Sequence, residues 1–401
     1  MCVRKRVMIL SFTDHSTDPR VNRQIRYLKD RYEVVCAGVV SPNLEDVDFI
    51  QLQWNEPTRA QKKFNEVLLM SRRYEHHYWR YPYVVDGLSK LANVSPDVIL
   101  ANDPDTLPLA LRVAAGAPVI YDAHEYSPLE FEDLLRFRLL EKGYKTYICK
   151  KYFPQAAAVT TVCETIANEY HRLTGVRPQL MMNTPLYENL WPFHSPESDS
   201  KIRLIHHGAP IPSRKLDCMI EMMQFLDSRF EMHFMLPHTN APYLAYLKEL
   251  AADVPRVFFQ DPVGMLDLAK ATNRYDVGVF LLPPVNFNYR HALPNKLFEF
   301  IQARLAIAIG PSPEMAKIVE QHGLGVVADD FTPRAMADRL NALTYDDVLR
   351  CKHNAHRVAD RYSSRVTSEK LIELVERVLG RTVSAGVPLA SPEDAVLQFA
   401  P

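Results

Sequence analysis

"DVGVFLLPPVNFNYRHALPNKLFEFIQARLAIAIG", residues 276–310, decides how the chain is read. It opens on a continuous apolar run, crosses a loop of Pro, Asn and aromatics, and closes on a second apolar run, "RLAIAIG". Between them "PNKLFEFIQ" has the spacing of a helix: Leu297, Phe298 and Ile301 share a face, and Pro294 suits a first-turn position. Strand, helix, strand with near-continuous apolar strands is the repeating unit of a parallel sheet covered on both faces. Such a helix begins at the carboxyl end of its strand, where open α/β sheets keep their clefts. Its free N–H groups and positive dipole end favour an anion, Lys296 adds a full charge, and a phosphate is the fitting guest. Glu299 has no use for a phosphate, but a carboxylate accepting two hydrogen bonds fits a ribose diol. The pair therefore describes a sugar nucleotide, against the plainer alternative of a dipole-stabilising glutamate with a surface ion-pair partner.

The alternation extends outward in both directions. "RVMILSF", "YEVVCAGVV", "PDVILAND", "APVIYDAHE" and "AAAVTTVCE" each precede a helical pattern in the first half, which ends on "PQLMMN". "TPLYENLWPFHSPESDS" (184–200) has the Pro, Ser and acidic content of a linker. "IRLIHHG", "FEMHFML", "RVFFQD" and "LGVVAD" then restart the series. The expected architecture is α/β with two doubly wound, Rossmann-like domains facing each other across a cleft, spanning 1–183 and 201–382. The tail 383–401 reads as loosely ordered.

At 401 residues the chain is long enough for two full cores. Apolar residues at 47% and charged residues at 24% fit a globular protein, and a formal charge of −1 gives no basic footprint for nucleic acid. The six cysteines lack CxxC or His-pair spacing, so reduced thiols are expected, with neither zinc nor disulfides. The apolar stretch of "MCVRKRVMILSF" is too short for a signal peptide, and no run approaches a membrane span; a cytoplasmic protein is expected. Two segments, "SRRYEHHYWRYPY" (71–83) and "RFRLLEKGYKTYICKKYF" (136–153), mix cations with aromatics. They read either as amphipathic surfaces for peripheral contact with an anionic membrane or as core aromatics edged by snorkelling bases.

"LPNKLFEF", "QARLAIAIG" and "SPEMAKIVEQHGLGVV" together resemble the C-terminal signature of retaining GT-B glycosyltransferases of the GT4 class. "IHHGAPIPSRKLDCMIEMM" is similar to that class's strand-end glycine, basic residue and helix, while "TDPRVNRQIRYLKDRYEVVCAG", "ANDPDTLPLALRVAA", "VIYDAHEYSP" and "VTTVCETIANEY" resemble its N-terminal domain. The likeness covers most of residues 6–380. It implies a GT-B fold and transfer of a hexose-type sugar, with retention, from a nucleotide diphosphate sugar to a glycan or lipid-linked acceptor, in cell-surface polysaccharide or glycoconjugate synthesis. No cofactor or metal is implied; the sugar nucleotide is a co-substrate. The rival readings are a sugar-nucleotide epimerase of the same fold and a non-catalytic binding subunit.

By the same resemblance Gly208 gives the donor close backbone approach, Arg214 or Lys215 meets its diphosphate, and Asn295, Lys296 and Glu299 complete the donor site. His124 corresponds to the histidine that meets the transferred sugar near its anomeric carbon, so His124 and Glu299 are the catalytic candidates. Asp18, Arg20, Asp122 and Glu125 are acceptor-side candidates. Two positions depart from the pattern: His291 stands where many members carry a first glutamate, and Ala209 where an arginine often follows the glycine. A histidine cannot accept hydrogen bonds from two sugar hydroxyls as a carboxylate does. "NDPD" at 102–105 contains a DxD, but one aspartate pair around a proline is weak support for a metal, and Asp105 reads as a helix cap.

Overall fold

The computed structural model describes residues 4–53, 56–193 and 201–380. Among the described residues thirteen strands form two all-parallel sheets. The first contains β1 (Arg6–Leu10), β2 (Glu33–Gly38), β3 (Asp48–Gln51), β4 (Val98–Asn102), β5 (Val119–Ala123), β6 (Ala158–Thr161) and β7 (Gln179–Leu180), in the order β3-β2-β1-β4-β5-β6-β7. The second contains β8 (Ile202–His207), β9 (Phe230–Met235), β10 (Val257–Gln260), β11 (Val277–Phe280), β12 (Ala306–Ile309) and β13 (Gly325–Val327), in the order β10-β9-β8-β11-β12-β13. The central strands β4, β5, β11 and β12 are buried at every position, which is why they read as unbroken apolar runs. In each sheet the order reverses beside the first strand, between β1 and β4 and between β8 and β11. That is the place where the loops part and leave a ligand crevice.

The expected two-domain α/β architecture is present, with one correction to its boundary. The helix Ser364–Val378, assigned above to the second domain, packs on the first. Its Leu371, Leu374 and Val375 fall on one face at helical spacing and enter the core formed by Val21, Ile25 and Leu28 of the helix Pro19–Leu28 with Val7 and Ile9 of β1. The chain thus crosses between the lobes twice. The outgoing crossing is pinned as well: Arg304 donates to the Glu188 carbonyl at 2.6 Å, Gln302 accepts from the Glu188 N–H at 3.1 Å, and Trp191 stacks on His356 at 4.6 Å. Residues 194–200 of the expected linker and the tail 383–401 lie outside the described residues.

The lobes also meet along one wall of the cleft, through the short helix Phe287–Arg290. Asn288 accepts from the Tyr126 N–H at 2.9 Å and donates to Glu125 at 3.3 Å, while Glu132 accepts from the Phe287 N–H at 2.8 Å. Glu314 of the second lobe accepts from the Thr165 N–H of the first at 2.9 Å.

Candidate functional site

The carboxyl ends of the two sheets enclose a cleft of about 480 Å³. On the second-lobe side its wall is the turn after β8 with Gly208, Ala209 and Arg214, together with the helix Asn295–Gln302. Pro294 is the residue before that helix's first turn, one place earlier than its sequence position suggested, and no side chain caps the end. The first N–H groups therefore keep their capacity for an acceptor in the cleft. Leu297, Phe298 and Ile301 bury the opposite face and fix the helix in place.

Lys296 is buried beneath this end and its Nζ donates to the His207 carbonyl. The same Nζ lies 5.1 Å from the Phe280 ring centroid. Burial, and then the Arg214 charge, bring the Lys296 ammonium down to about 7, with Glu299 acting in the opposite direction. Gly208 has φ 101°, a left-handed conformation that favours glycine, and its bare backbone faces Lys296 Nζ, which would stand 2.9 Å from a Cβ. Glu299 reaches the cleft with Oε2 3.7 Å from His207 Nδ1. Burial raises its pKa while Lys296 and Arg23 oppose the rise, and burial followed by Lys296 holds His206 and His207 well below their usual range. Arg214, Lys296 and the helix end together make a compact cationic pocket with one carboxylate beside it, a set suited to a diphosphate with an attached diol.

Across the cleft stands His124, at the end of β5. Its Nε2 lies 3.2 Å from Asn102 Oδ1 and 3.6 Å from Asp122 Oδ2, and its Nδ1 is 3.5 Å from Asp103 Oδ1. Beneath it Asp122 is buried, accepting from Gln24 at 2.7 Å and Thr160 at 2.7 Å, with Arg20 at 3.4 Å. Burial works against its ionisation, but Arg20 and the hydrogen bonds from His124 and Thr160 prevail and hold the carboxyl far below its ordinary range. Asp18 caps the helix Pro19–Leu28, accepting from the N–H groups of Arg20 and Val21 at 3.0 and 3.2 Å, and lines the cleft with Arg20 and Glu125.

Removing one partner from a buried ion pair strands the other, at a cost of about 3–5 kcal/mol. Asp122→Ala should therefore lower the melting temperature of the purified protein by several degrees. An unchanged melting curve would mean that Asp122 does not organise the first lobe. A carboxyl depressed in the folded state stabilises above its unfolded pKa of about 4, and that contribution fades as pH falls below it. The gap between the two proteins should thus narrow on acidification.

The cleft brings together ten of the twelve expected site residues or their immediate supports, and two stand elsewhere. Lys215 takes a left-handed conformation, φ 52°, closing the turn Pro212–Arg214, and is absent from the cleft wall. Its neighbour Arg214 occupies the wall instead. His291 also falls outside it: the ring packs on Phe287 with centroids 4.6 Å apart, and its backbone carbonyl faces Cys163. The cleft positions nearby are Asn288, Tyr289 and Ala292. Asp122 lies under the floor rather than on the surface, and Asp105 is no helix cap, since it pairs with Lys145 at 2.6 Å and accepts from Tyr144 at 3.1 Å. Asp103 and Asp105 thus turn to different partners. Asn102 and Asp103, weighed above only as part of a weak metal motif, flank His124 instead, and Asn288, which the sequence reading did not single out, links Glu125 and Tyr126. The "ND" at the end of a buried strand was the available signal for the first two.

Residues 12–182 match the family model described as Glycosyltransferase Family 4. A comparison with curated proteins finds no match. Among solved structures, HepE of Anabaena in complex with UDP and glucose superposes with a TM-score of 0.68 at 12% identity, covering 93% of this chain and 100% of that one. Sucrose-phosphate synthase from Thermosynechococcus elongatus gives a TM-score of 0.70 at 12% identity, covering 94% and 100%. WaaG, a glycosyltransferase involved in lipopolysaccharide biosynthesis, gives 0.62 at 12% identity, covering 92% and 99%. These likenesses establish the two-lobed fold.

Proposed function

We propose, on the premise that the N-terminal lobe belongs to glycosyltransferase family 4 and that the whole chain folds as GT-B, that the protein transfers a sugar from a nucleotide diphosphate sugar. The donor lies against the second lobe: its diphosphate on Arg214, Lys296 and the start of the helix Asn295–Gln302, with Asn295 beside it, its backbone approach at Gly208, and its ribose on Glu299. The sugar is of hexose type and is transferred with retention to a glycan or lipid-linked acceptor on the side of Asp18, Arg20 and Glu125. One observation carries the reading: a buried cationic pocket at an uncapped helix end, with a carboxylate beside it, faces a histidine across a single cleft. The UDP bound in HepE adds support for the donor class.

Chemically, the bond from the anomeric carbon to the diphosphate breaks as the acceptor hydroxyl attacks the same face, and the departing phosphate oxygen takes the hydroxyl's proton. Arg214, Lys296 and the helix end stabilise the charge that develops on the leaving group, which is the contribution expected to dominate. His124 holds the sugar from the opposite lobe, its ring set by Asn102 and Asp103. Asp122 acts through that ring as a positioning residue.

A screen of UDP-, GDP- and other sugar nucleotides for slow donor hydrolysis tests this directly, with proton NMR reading which anomer of the free sugar appears first. Release of the sugar with its donor configuration is expected. No hydrolysis and no binding of any sugar nucleotide by the folded protein would sink the reading, and tight binding without turnover on any acceptor would favour a binding subunit. The cleft's lack of a carboxylate at the His291 position is the observation behind that second outcome.

Glu299→Ala should weaken the selected donor by about 1–3 kcal/mol, the worth of hydrogen bonds to a charged group. Calorimetry with the matching nucleoside lacking phosphates separates the ribose contact from the diphosphate contacts. An unchanged affinity for both ligands in a folded variant would remove Glu299 from the site.

A further inference from the structure

The two basic-aromatic segments of the first lobe do not present their aromatics to solvent. Glu75 gathers them instead: Tyr147, Tyr152, Trp79 and Lys151 all donate to its carboxylate, at 2.8, 2.7, 2.8 and 2.6 Å. A different set of apolar side chains lies outside. The helix Arg59–Met70 buries Leu68 and Leu69 and leaves Phe64, Val67 and Met70 exposed on its opposite stripe. Beside it the segment 131–141 exposes Leu134, Leu135 and Leu139, and the two elements are joined by the Arg136–Glu66 ion pair at 3.2 Å. Met70 and Leu139 each keep 71% of their surface accessible.

Cations surround these apolar groups. Arg59, Lys63, Arg72, Arg73, Arg138 and Lys142 are all exposed, and among the described residues none of them forms an ion pair. Arg80 stacks its guanidinium 5.3 Å from the Phe64 ring centroid. Apolar side chains ringed by unpaired cations match a surface that offers hydrocarbon below and negative charge above. A second copy of the chain meets this face poorly, because a two-fold contact would bring like charges together. A cavity of about 410 Å³ is walled by the same two elements, through Lys62, Glu66, Arg136 and Glu141. Its lining pairs charges of both signs, which suits a polar group rather than a hydrocarbon chain.

We propose that the face built by the helix Arg59–Met70 and the segment 131–141 docks on an anionic lipid bilayer, as a peripheral contact. Among the described residues no helix is long and apolar enough to cross a membrane, so this contact would lie in the interface. It is independent of the donor site, and its failure would leave the transferase reading standing.

Co-sedimentation of the full chain with vesicles tests it. Vesicles of mixed phosphatidylglycerol and phosphatidylcholine should bind the protein, pure phosphatidylcholine should not, and raised salt should release it. Leu135→Glu with Leu139→Glu should cut vesicle binding roughly tenfold or more by placing charge where apolar groups insert, while sugar-nucleotide binding, which reports an intact fold, stays unchanged. The milder Arg72→Gln with Arg73→Gln should weaken binding at low salt only. Failure of the wild-type chain to bind anionic vesicles, or equal binding by both double variants, would overturn the proposal. So would a dimer in analytical ultracentrifugation that the leucine substitutions dissociate, since the face would then be a subunit interface.

Discussion

His124→Ala should lower kcat by about 10²–10³ and leave donor affinity within about threefold, because the loss falls on positioning of the reacting sugar rather than on binding of the nucleotide. The geometry argues for this split. Every cation assigned to the diphosphate belongs to the second lobe, whereas His124 is held from the first by Asn102 at 3.2 Å and Asp103 at 3.5 Å. On the proposed reading, the substitution leaves the groups assigned to the donor's diphosphate intact and removes the one assigned to the transferred sugar. Asn102→Ala, which frees the ring without removing it, should give a smaller loss of kcat because the imidazole keeps its place but loses a partner that orients it. Equal losses in kcat/KM and donor affinity for His124→Ala would instead place the histidine in ground-state binding.

Lys296→Met should weaken binding of the selected sugar nucleotide by about 10–100-fold, and it should abolish a pH dependence that the wild type shows. Free Lys296 sits at about 7 because burial and Arg214 disfavour its charge. A bound diphosphate favours the charged form and raises that value, so binding takes up a proton wherever the free lysine is neutral. The sign follows: affinity is greatest where the free lysine is already protonated, and it falls as pH rises through the lowered value of the free lysine. A sugar nucleotide suits this measurement, since its diphosphate diester keeps its charge over the whole range. Methionine fills much of the same buried volume, so the variant should fold. Undiminished sugar-nucleotide binding by the folded Lys296→Met variant would mean that Lys296 does not meet the diphosphate.

The sequence carried the architecture well because its signal is local. Strands buried on both faces must be apolar throughout, and the helices between them must show one apolar stripe, so the βα series could be read from 6 to 327 without knowledge of contacts. The helix from Asn295 was legible for the same reason, since Leu297, Phe298 and Ile301 fix its phase and thereby send Lys296 and Glu299 toward the cleft, whereas Gly208 was reached only through the family resemblance. Other features depended on partners far along the chain. Nothing near Asp122 announces that Gln24, Thr160 and Arg20 will enclose it, and nothing near Leu371 announces that its helix will return to the first lobe. His291 illustrates a further limit. One residue past a four-residue helix, its direction is set by how Phe287 packs, and counting back from Glu299 says nothing about that. Lys215 was lost to a single left-handed residue that turns its side chain away and leaves Arg214 on the wall.

The central claim is that the second lobe binds a nucleoside diphosphate group at the start of the helix Asn295–Gln302. Isothermal titration of the full-length chain with UDP and with GDP at pH 6.5 or thereabouts, repeated on Lys296→Met, tests it most directly. The account predicts one site per chain, micromolar affinity for one of the two nucleotides, and loss of most of that affinity in the variant. Absence of binding by these and by the other common nucleoside diphosphates to the folded wild type, or undiminished binding by Lys296→Met, would contradict it.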